Sequence, residues 1–213
     1  MYICTQFKKQ MKEAILNKAT ELFLTHGFKT VTMDQLASEM GISKKTIYSH
    51  FSNKNNLVDA STNDLFDKIS CGVDRICTLG KNPIEEIYEI KKYVMLHLKD
   101  EKSSPQYQLQ KYYPNTFKVL QKRQFAMMQD CFLSNIKKGI AQGIYRENLV
   151  PEFILRIYYS GVNAIKDEDL FPPSITGIGA LMDQYLEYHL RGIVSFKGLD
   201  ILKETLSTHT KEK

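Results

Sequence analysis

The 213-residue sequence has no tryptophan, few cysteines and no long hydrophobic run. Because no stretch has eighteen consecutive apolar residues, we expect no membrane-spanning helix. No apolar segment follows Lys8 and Lys9 near the N-terminus, so we expect no secretory signal. Hydrophobic residues make up 43% and charged residues 25%, which excludes disordered or collagen-like structure. The length is sufficient for one large or two small domains.

The spacing of cysteines and histidines matches no metal-binding or dithiol motif. The four cysteines are Cys4, Cys71, Cys77 and Cys131, and none forms a Cys-x-x-Cys pair. No histidine lies three or four residues from another histidine or from a cysteine, so metal ligands would have to come from distant segments. We therefore expect reduced, buried thiols in a cytoplasmic protein, with no metal and no cofactor.

Apolar residues recur at helical spacing along nearly the whole chain. Ile15, Ala19, Leu22 and Phe23, for example, follow the i, i+4, i+7, i+8 pattern of one helix face. No strand-like alternation of useful length, internal repeat or low-complexity tract is present. The sequence therefore predicts an all-α fold of about nine helices, the last of which ends near Phe196.

Two short helices around a glycine turn are predicted between residues 33 and 51. Thr32 begins a capping box at the start of the first helix, and Gly41 ends that helix. Ser43 is a suitable N-cap for the second helix, which is expected over about Lys44–His50. This length pattern is typical of a helix-turn-helix.

The stretch from Gly41 to Val58 contains Lys44, Lys45 and Lys54 but no acidic residue. A helix that exposes hydrogen-bond donors and no carboxylate can approach the phosphates and base edges of DNA. The alternative is a solvated helical hairpin whose charges only improve solubility. The formal net charge of +5 permits nucleic-acid binding without requiring it.

The segment from Ile15 to Leu57 resembles the helix-turn-helix signature of the TetR/AcrR family of bacterial transcriptional repressors. The matching positions are Ala19, Leu22, Phe23, Gly27, Thr30, Thr32, Leu36, Ala37, Gly41, Ile42, Ser43, Thr46, Ile47, Tyr48, His50, Phe51, Lys54 and Leu57. The rest of the chain is similar to the family in length and helix order, although that part of the family varies greatly. Lys45 departs from the family pattern, which often has a small residue such as glycine at this position.

The resemblance implies a homodimeric regulator of transcription. Residues 1–53 would form the helix-turn-helix DNA-binding domain, 54–78 a linking helix, and 79–213 a helical domain for effector binding and dimerisation. The partners would be double-stranded DNA, a second copy of the chain and a small, mostly apolar effector that releases the repressor from a palindromic operator. Effector binding would tilt the linking helix and change the separation of the two recognition helices.

The resemblance places the recognition helix, about Lys44–His50, in the major groove of DNA. Ser43, at the N-cap of the recognition helix, is expected to bind DNA. Two further groups of residues are expected to do so as well. Contacts to base edges or the nearby backbone are expected from Lys44, Lys45, Thr46 and Ser49. Positions that commonly contact phosphates in the family are matched by Thr32, Tyr48, His50 and Lys54.

Aromatic residues and methionines on the middle helices indicate where an apolar effector would bind. The expected pocket residues are Tyr88, Tyr93, His97, Tyr107, Tyr113, Phe117, Phe125 and Met128. For each residue the alternative is an ordinary place in the core.

Two apolar stripes on the last two long helices are expected to form the dimer interface as a four-helix bundle. One stripe contains Ile154, Tyr158 and Gly161, where the glycine would permit close approach. The other contains Ile178, Leu181, Met182, Tyr185 and His189. The alternative is that both stripes are buried within one protomer.

Two other classes of protein were weighed against a DNA-binding regulator. The sequence has no Gly-x-Ser-x-Gly, no phosphate-binding glycine-rich loop and no His-Glu-x-x-His, so an enzyme is not expected. A helical protein-binding adaptor without DNA specificity is the remaining alternative, but it would not need the acid-free stretch from Gly41 to Val58.

Overall fold

The computed structural model describes residues 2–98, 105–167, 169–172 and 174–211. Ten helices form within these residues: α1 (Tyr2–His26), α2 (Met33–Met40), α3 (Lys44–Tyr48), α4 (Lys54–Cys77), α5 (Pro83–Leu98), α6 (Pro105–Tyr112), α7 (Pro114–Ala141), α8 (Pro151–Ile165), α9 (Ile178–Ile193) and α10 (Phe196–Lys211). The prediction of an all-α fold is confirmed, since β-pairing in the described residues is limited to one isolated bridge between Tyr145 and Val194. Among these helices, none is long and apolar enough to cross a membrane.

Helix α10 is the element that the sequence reasoning did not predict. The last predicted helix ended near Phe196, but α10 follows it, and a Cβ at its Gly198 would lie 2.1 Å from the carbonyl oxygen of Ile144. The glycine therefore permits a close approach of two backbones instead of ending a helix. The signal for α10 was Ser195, whose hydroxyl accepts a hydrogen bond of 3.1 Å from Gly198 N, as an N-cap does.

The chain divides into two compact units. Unit 1 comprises Met1–Lys68 and Ser103–Gln121, whereas unit 2 comprises Ile69–Lys102 and Lys122–Lys213. Helices α4 and α7 each contribute residues to both units. In unit 1, buried residues from α1 to α4 form a core that includes Ile15, Phe23, Leu36, Ile47, Phe51 and Leu57. This core fixes the positions of the two short helices.

Unit 2 has its own apolar core, formed by α5 and α7 to α10 together with residues 144 and 145. A buried polar network lies beside it. Asn135 Nδ2 donates a hydrogen bond of 2.7 Å to Glu86 Oε1, and Tyr145 Oη donates one of 3.0 Å to Asn135 Oδ1. Lys138 Nζ lies 3.1 Å from Glu86 Oε2, so the buried carboxylate has a cation beside it. These bonds connect α5, α7 and residue 145.

Helices α8 and α9 pack closely because α8 contains Gly161. A Cβ at Gly161 would lie 2.2 Å from both Cζ and Oη of Tyr185 on α9. The Tyr185 hydroxyl donates to the carbonyl oxygens of Ile157 and Tyr158, at 3.0 and 3.2 Å. Gly161 was expected to allow a close approach between protomers, but the space beside it is occupied by Tyr185 of the same protomer.

We expect the substitution Gly161→Ala to destabilise the protein by about 1–3 kcal/mol, since the methyl group would displace Tyr185 from its two carbonyl partners. Urea unfolding at one fixed protein concentration measures this effect. Gly192→Ala on α9 is the matched control, because a Cβ there meets nothing within 4 Å. The Gly192→Ala variant should be as stable as wild type or slightly more stable, since alanine has a higher helix propensity than glycine. Equal midpoints for Gly161→Ala and wild type would contradict this account.

Candidate nucleic-acid interface

Helices α2 and α3 are joined by a turn whose geometry follows from three residues. The Thr32 hydroxyl caps α2 by accepting a hydrogen bond of 3.1 Å from Gln35 N. Gly41 ends α2 in the left-handed conformation at φ +63°, which favours glycine. The Ser43 hydroxyl then accepts a bond of 3.1 Å from Thr46 N and begins α3. These local bonds produce the helix-turn-helix that the sequence predicted.

Helix α3 has one buried face and one exposed face. Ile47 on α3 and Phe51 just after it are buried in unit 1. Lys44, Lys45 and Tyr48 are exposed on the opposite side. A short helix anchored in this way presents donors to a ligand as large as a DNA duplex.

Several hydroxyl groups predicted to bind DNA already have partners in the protein. Thr32 and Ser43 cap helices, and the Ser43 and Thr46 hydroxyl oxygens lie 2.9 Å apart. Ser49 Oγ donates a bond of 2.7 Å to the Thr46 carbonyl oxygen. Ser49 is exposed, while His50 is half-buried. These hydroxyls shape α3, and Lys45 and Tyr48 project from it.

Lys44 is paired with a carboxylate that the linear sequence pattern missed. Its Nζ lies 2.8 Å from Asp34 Oδ1 on α2, and the hydrogen bond to Asp34 raises the pKa of Lys44. The stretch from Gly41 to Val58 is acid-free in sequence, but the folded surface around Lys44 is not. Because both side chains are exposed, the pair is weak and a phosphate can replace Asp34.

Lys54 lies in the first turn of α4 and also has an intramolecular partner. Its Nζ donates a hydrogen bond of 3.0 Å to the carbonyl oxygen of Lys29, and desolvation lowers the pKa of Lys54. The first turn of α4 carries no acidic residue, so the positive end of the helix dipole is not offset there.

The structure adds Lys12 and Lys29 to the basic residues near the helix-turn-helix. Lys12 Nζ on α1 lies 5.7 Å from the centre of the Phe51 ring, and Lys29 Nζ lies 4.8 Å from the centre of the Tyr112 ring. The sequence did not indicate either lysine as part of this surface, because the aromatic ring that each contacts is distant in sequence.

The predicted effector residues are divided between the two units. Tyr107, Tyr113 and Phe117 belong to unit 1. There the Tyr113 hydroxyl lies 3.4 Å from the Phe28 carbonyl oxygen, and Phe117 is buried.

The other predicted effector residues, Tyr88, Tyr93, His97, Phe125 and Met128, belong to unit 2. Tyr88 is buried in the apolar core of unit 2, and Met128 packs against that core. The Tyr93 and His97 rings lie 4.2 Å apart, and the Phe125 ring lies 5.1 Å from Tyr159.

Unit 2 also holds an aromatic cluster formed by Phe132, Tyr158, Tyr185 and His189. Ring centres lie 4.5 Å apart for Phe132 and Tyr158, and 4.9 Å apart for Tyr158 and His189. His189 is only 7% exposed, and its Nε2 has no hydrogen-bond partner among the described residues. Burial lowers the pKa of His189 to about 4, so the imidazole is neutral at pH 7. Burial also raises the pKa of Tyr185 to about 12.

The predicted dimer residues are buried or half-buried in the protomer. Ile154, Met182 and His189 are buried, while the remaining five are half-buried: Tyr158, Gly161, Ile178, Leu181 and Tyr185. The exposed apolar side chains on the same two helices are Phe153 (60% exposed), Ile157 (48%) and Tyr188 (77%). The i, i+4 spacing of Phe153 and Ile157 is the sequence signal for this second face.

A capped α2, a left-handed glycine turn and a half-buried α3 with exposed lysines define a helix-turn-helix DNA-binding protein. Residues 15–61 match the family described as bacterial regulatory proteins, tetR family. Over 208 residues the chain is 27% identical to the uncharacterized HTH-type transcriptional regulator YdeS of Bacillus subtilis, a match covering 92% of each protein. The helix-turn-helix region of this chain is thus of the TetR-family type, and the chain is similar over most of its length to a transcriptional regulator.

Two solved structures show that the fold is shared. A TetR-family transcriptional regulator from Agrobacterium tumefaciens has a TM-score of 0.70 at 17% identity, covering 88% of this chain and 100% of that one. SmeT in complex with triclosan has a TM-score of 0.62 at 19% identity, covering 88% and 93%. SmeT is the repressor of a multidrug efflux pump of Stenotrophomonas maltophilia.

Proposed function

We propose that this protein is a cytoplasmic transcriptional repressor that binds a near-palindromic operator as a homodimer and is released by a small, mostly apolar effector. The observation that carries this proposal is the exposed basic face of α3, held on a buried apolar face within a TetR-family domain. Repression is favoured because SmeT, which shares the fold, is itself a repressor. An enzyme or a protein-binding adaptor would not need this surface.

The side chains of the interface are proposed to have different roles. The side chain of Lys45 is exposed on α3, and its ammonium group makes no hydrogen bond or ion pair within the described ranges, so it is free to reach a base edge. Lys54 is proposed to bind a phosphate at the start of α4, where the helix dipole also favours an anion. Phosphate contacts set affinity and orientation, whereas base contacts determine sequence choice.

Two substitutions should separate these roles. Lys45→Gly, which introduces the small residue common in the family, should change the preferred base at one position, with about 10-fold altered discrimination. Lys54→Gln should weaken binding to all duplexes alike and reduce the slope of log affinity against log salt by about 1. Fluorescence anisotropy measures both, with a duplex selected from genomic DNA and a randomised duplex of the same length.

Lys137→Gln is the matched control for these two substitutions, because Lys137 is an exposed lysine on the part of α7 that belongs to unit 2. It should leave both affinities and the salt slope unchanged. Identical behaviour of Lys45→Gly and Lys54→Gln would contradict the assigned roles. A protein that bound no duplex, even at low salt, would contradict the proposed function.

We propose that a second copy of the chain covers the exposed apolar face of α8 and α9. Phe153, Ile157 and Tyr188 are large apolar side chains on two helices that pack against each other, and isolated protomers rarely expose such a group. A two-fold axis would place the same face of each protomer against the other. Two recognition helices could then enter successive major grooves about 34 Å apart.

For the effector, we propose a site in unit 2 beside the aromatic cluster. The unpartnered Nε2 of His189 is a hydrogen-bonding atom within apolar and aromatic surroundings. A neutral imidazole in such surroundings favours a neutral hydroxyl or carbonyl group over a charged one, because a buried charge would remain uncompensated. SmeT, whose complex with triclosan is known, shows that an apolar phenol can bind within this fold.

Effector and operator should weaken each other's binding by the same factor, since both act on one conformational equilibrium. Calorimetric titration with a panel of apolar phenols that includes triclosan, with and without operator, measures this factor. We expect a 5- to 100-fold decrease in phenol affinity when operator is present. No binding at micromolar concentrations, or equal affinity in both titrations, would contradict the proposed effector mechanism.

A further inference from the structure

Two cysteines that are distant in sequence meet inside unit 2. Cys77 is the last residue of α4, and Cys131 lies on α7. Their Sγ atoms are 2.8 Å apart, closer than two sulfur atoms in van der Waals contact. Both side chains are half-buried, so neither is sealed from small solutes. The spacing in sequence gave no sign of this pair.

We propose that Cys77 and Cys131 form a reversible disulfide, and that this bond makes DNA binding by the protein responsive to hydroperoxides. The regulatory half of the proposal rests on the proposed function, whereas the formation of the disulfide does not. A disulfide has an S–S distance of about 2.05 Å, so the two sulfur atoms need only a small approach.

The reaction is a two-electron oxidation of two thiols by a hydroperoxide. The thiolate of one cysteine attacks one oxygen of the hydroperoxide, breaks the O–O bond and forms a sulfenic acid. The expelled hydroxide, or the alkoxide from an organic peroxide, takes up the proton that this thiol had released and leaves as water or an alcohol. The second sulfur attacks the sulfenic sulfur, forms the S–S bond and expels hydroxide, which takes up the proton of the second thiol to give water. The two cysteines lose two electrons and two protons, and a thiol reductant reverses the change.

The local environment indicates which cysteine reacts first. Burial raises the pKa of both thiols, and the increase is larger for Cys131. Either sulfur atom can donate in the contact between the two thiols. Because burial raises the pKa of Cys131 more, we expect Cys77 to be the attacking thiolate and Cys131 the resolving thiol. Because the pKa of each thiol is raised, only a small fraction of either cysteine is thiolate at neutral pH. We therefore expect oxidation to be slow and to need sustained exposure to the hydroperoxide.

A metal site does not account for the pair. Among the side chains that the structure describes, no group of three or more histidine, cysteine, aspartate or glutamate residues could hold a metal ion. Two thiols in contact without further ligands fit a dithiol better than a structural zinc site.

The position of Cys77 explains how the disulfide would affect DNA binding. Helix α4 begins at Lys54 in unit 1 and ends at Cys77 in unit 2, so one continuous helix carries both residues. A covalent bond from its last residue to α7 would fix that end of α4. Any conformation in which this end moves away from α7 would then be excluded, which shifts the population that binds operator.

The first measurement is the intact mass and peptide map of the full-length protein after treatment with hydrogen peroxide. We expect the loss of two hydrogen masses and a crosslinked peptide that joins Cys77 to Cys131, both reversed by dithiothreitol. Cys71→Ser is the matched control, because Cys71 is exposed on the same helix and its removal should leave the crosslink intact. Cys77→Ser and Cys131→Ser should abolish it.

No crosslink, or a crosslink that uses a different cysteine, would overturn the proposal. If a serine variant fails to fold, differential alkylation of oxidised and reduced wild type gives the same readout without any substitution. In that experiment, protection from alkylation of Cys77 and Cys131, and of no other cysteine, in the oxidised protein supports the disulfide. Equal alkylation of all cysteines overturns it.

The second measurement is the affinity of oxidised and reduced protein for the duplex selected from genomic DNA. We expect at least a 5-fold difference for wild type and Cys71→Ser, and none for Cys77→Ser. Equal affinities in the presence of a mapped crosslink would overturn the regulatory half. Failure of the reduced protein to bind any duplex would instead contradict the proposed function, which keeps the two failures distinct.

Discussion

Replacing both Phe153 and Ile157 with glutamate is expected to convert the dimer into monomers and to lower operator affinity by at least about 100-fold. Both side chains are exposed in the protomer, and each would occur twice in a two-fold interface. Burying a large apolar side chain contributes about 1.5–3 kcal/mol, and a buried carboxylate without a partner adds a further penalty. A monomer would hold only one half-site, so the linked second binding event would be lost.

Multi-angle light scattering gives the mass of the variant, and anisotropy with the selected duplex gives its affinity. Leu79→Glu is the matched control, because Leu79 is a similarly exposed apolar residue that lies outside α8 and α9. This control should remain a dimer with unchanged affinity. A double variant that stays dimeric would show that the protomers associate through a different face.

Lowering the pH from 7 to 4 is expected to remove about 3 kcal/mol of folding stability through His189 alone. Burial lowers the pKa of this imidazole from 6.5 to about 4. Between pH 6.5 and pH 4, the His189 imidazole binds a proton in the unfolded chain but not in the folded chain. Stability from this group is therefore complete above pH 6.5 and declines as the pH falls towards 4.

The measurement is urea unfolding at several pH values for wild type and His189→Phe. The variant keeps an aromatic ring in the cluster but cannot titrate, so its stability should decline less steeply between pH 6.5 and 4. His26→Phe replaces an exposed histidine at the end of α1 and serves as the matched control, with a decline like that of wild type. Parallel curves for all three proteins would contradict a buried, neutral His189.

The helix-turn-helix could be predicted because each of its boundaries depends on neighbouring residues. Thr32, Gly41 and Ser43 act on backbone groups within four positions of themselves. Such local bonds leave a recognisable pattern in the sequence. The all-α fold was predictable for a similar reason, since apolar spacing indicates helices without reference to their partners.

Features that depend on residues distant in sequence could not be predicted from the sequence. The sequence indicates that Gly161 allows a close approach but not that Tyr185 of the same protomer occupies the space. The sequence gives no sign that Gly198 adjoins the backbone at Ile144. The contact of Cys77 with Cys131 arises only when α4 and α7 pack together. In each case the decisive contact is set by tertiary structure.

The pairing of Lys44 with Asp34 has a consequence for how the protein searches a chromosome. The carboxylate occupies the side of Lys44 that a phosphate would otherwise occupy, at 2.8 Å from its Nζ. We expect Lys44 to exchange this internal partner for a phosphate when it contacts DNA, so that it adds less attraction towards random sequence than an unpaired cation would. Weaker attraction shortens each visit to a wrong site, and faster departure allows more sites to be sampled in a given time.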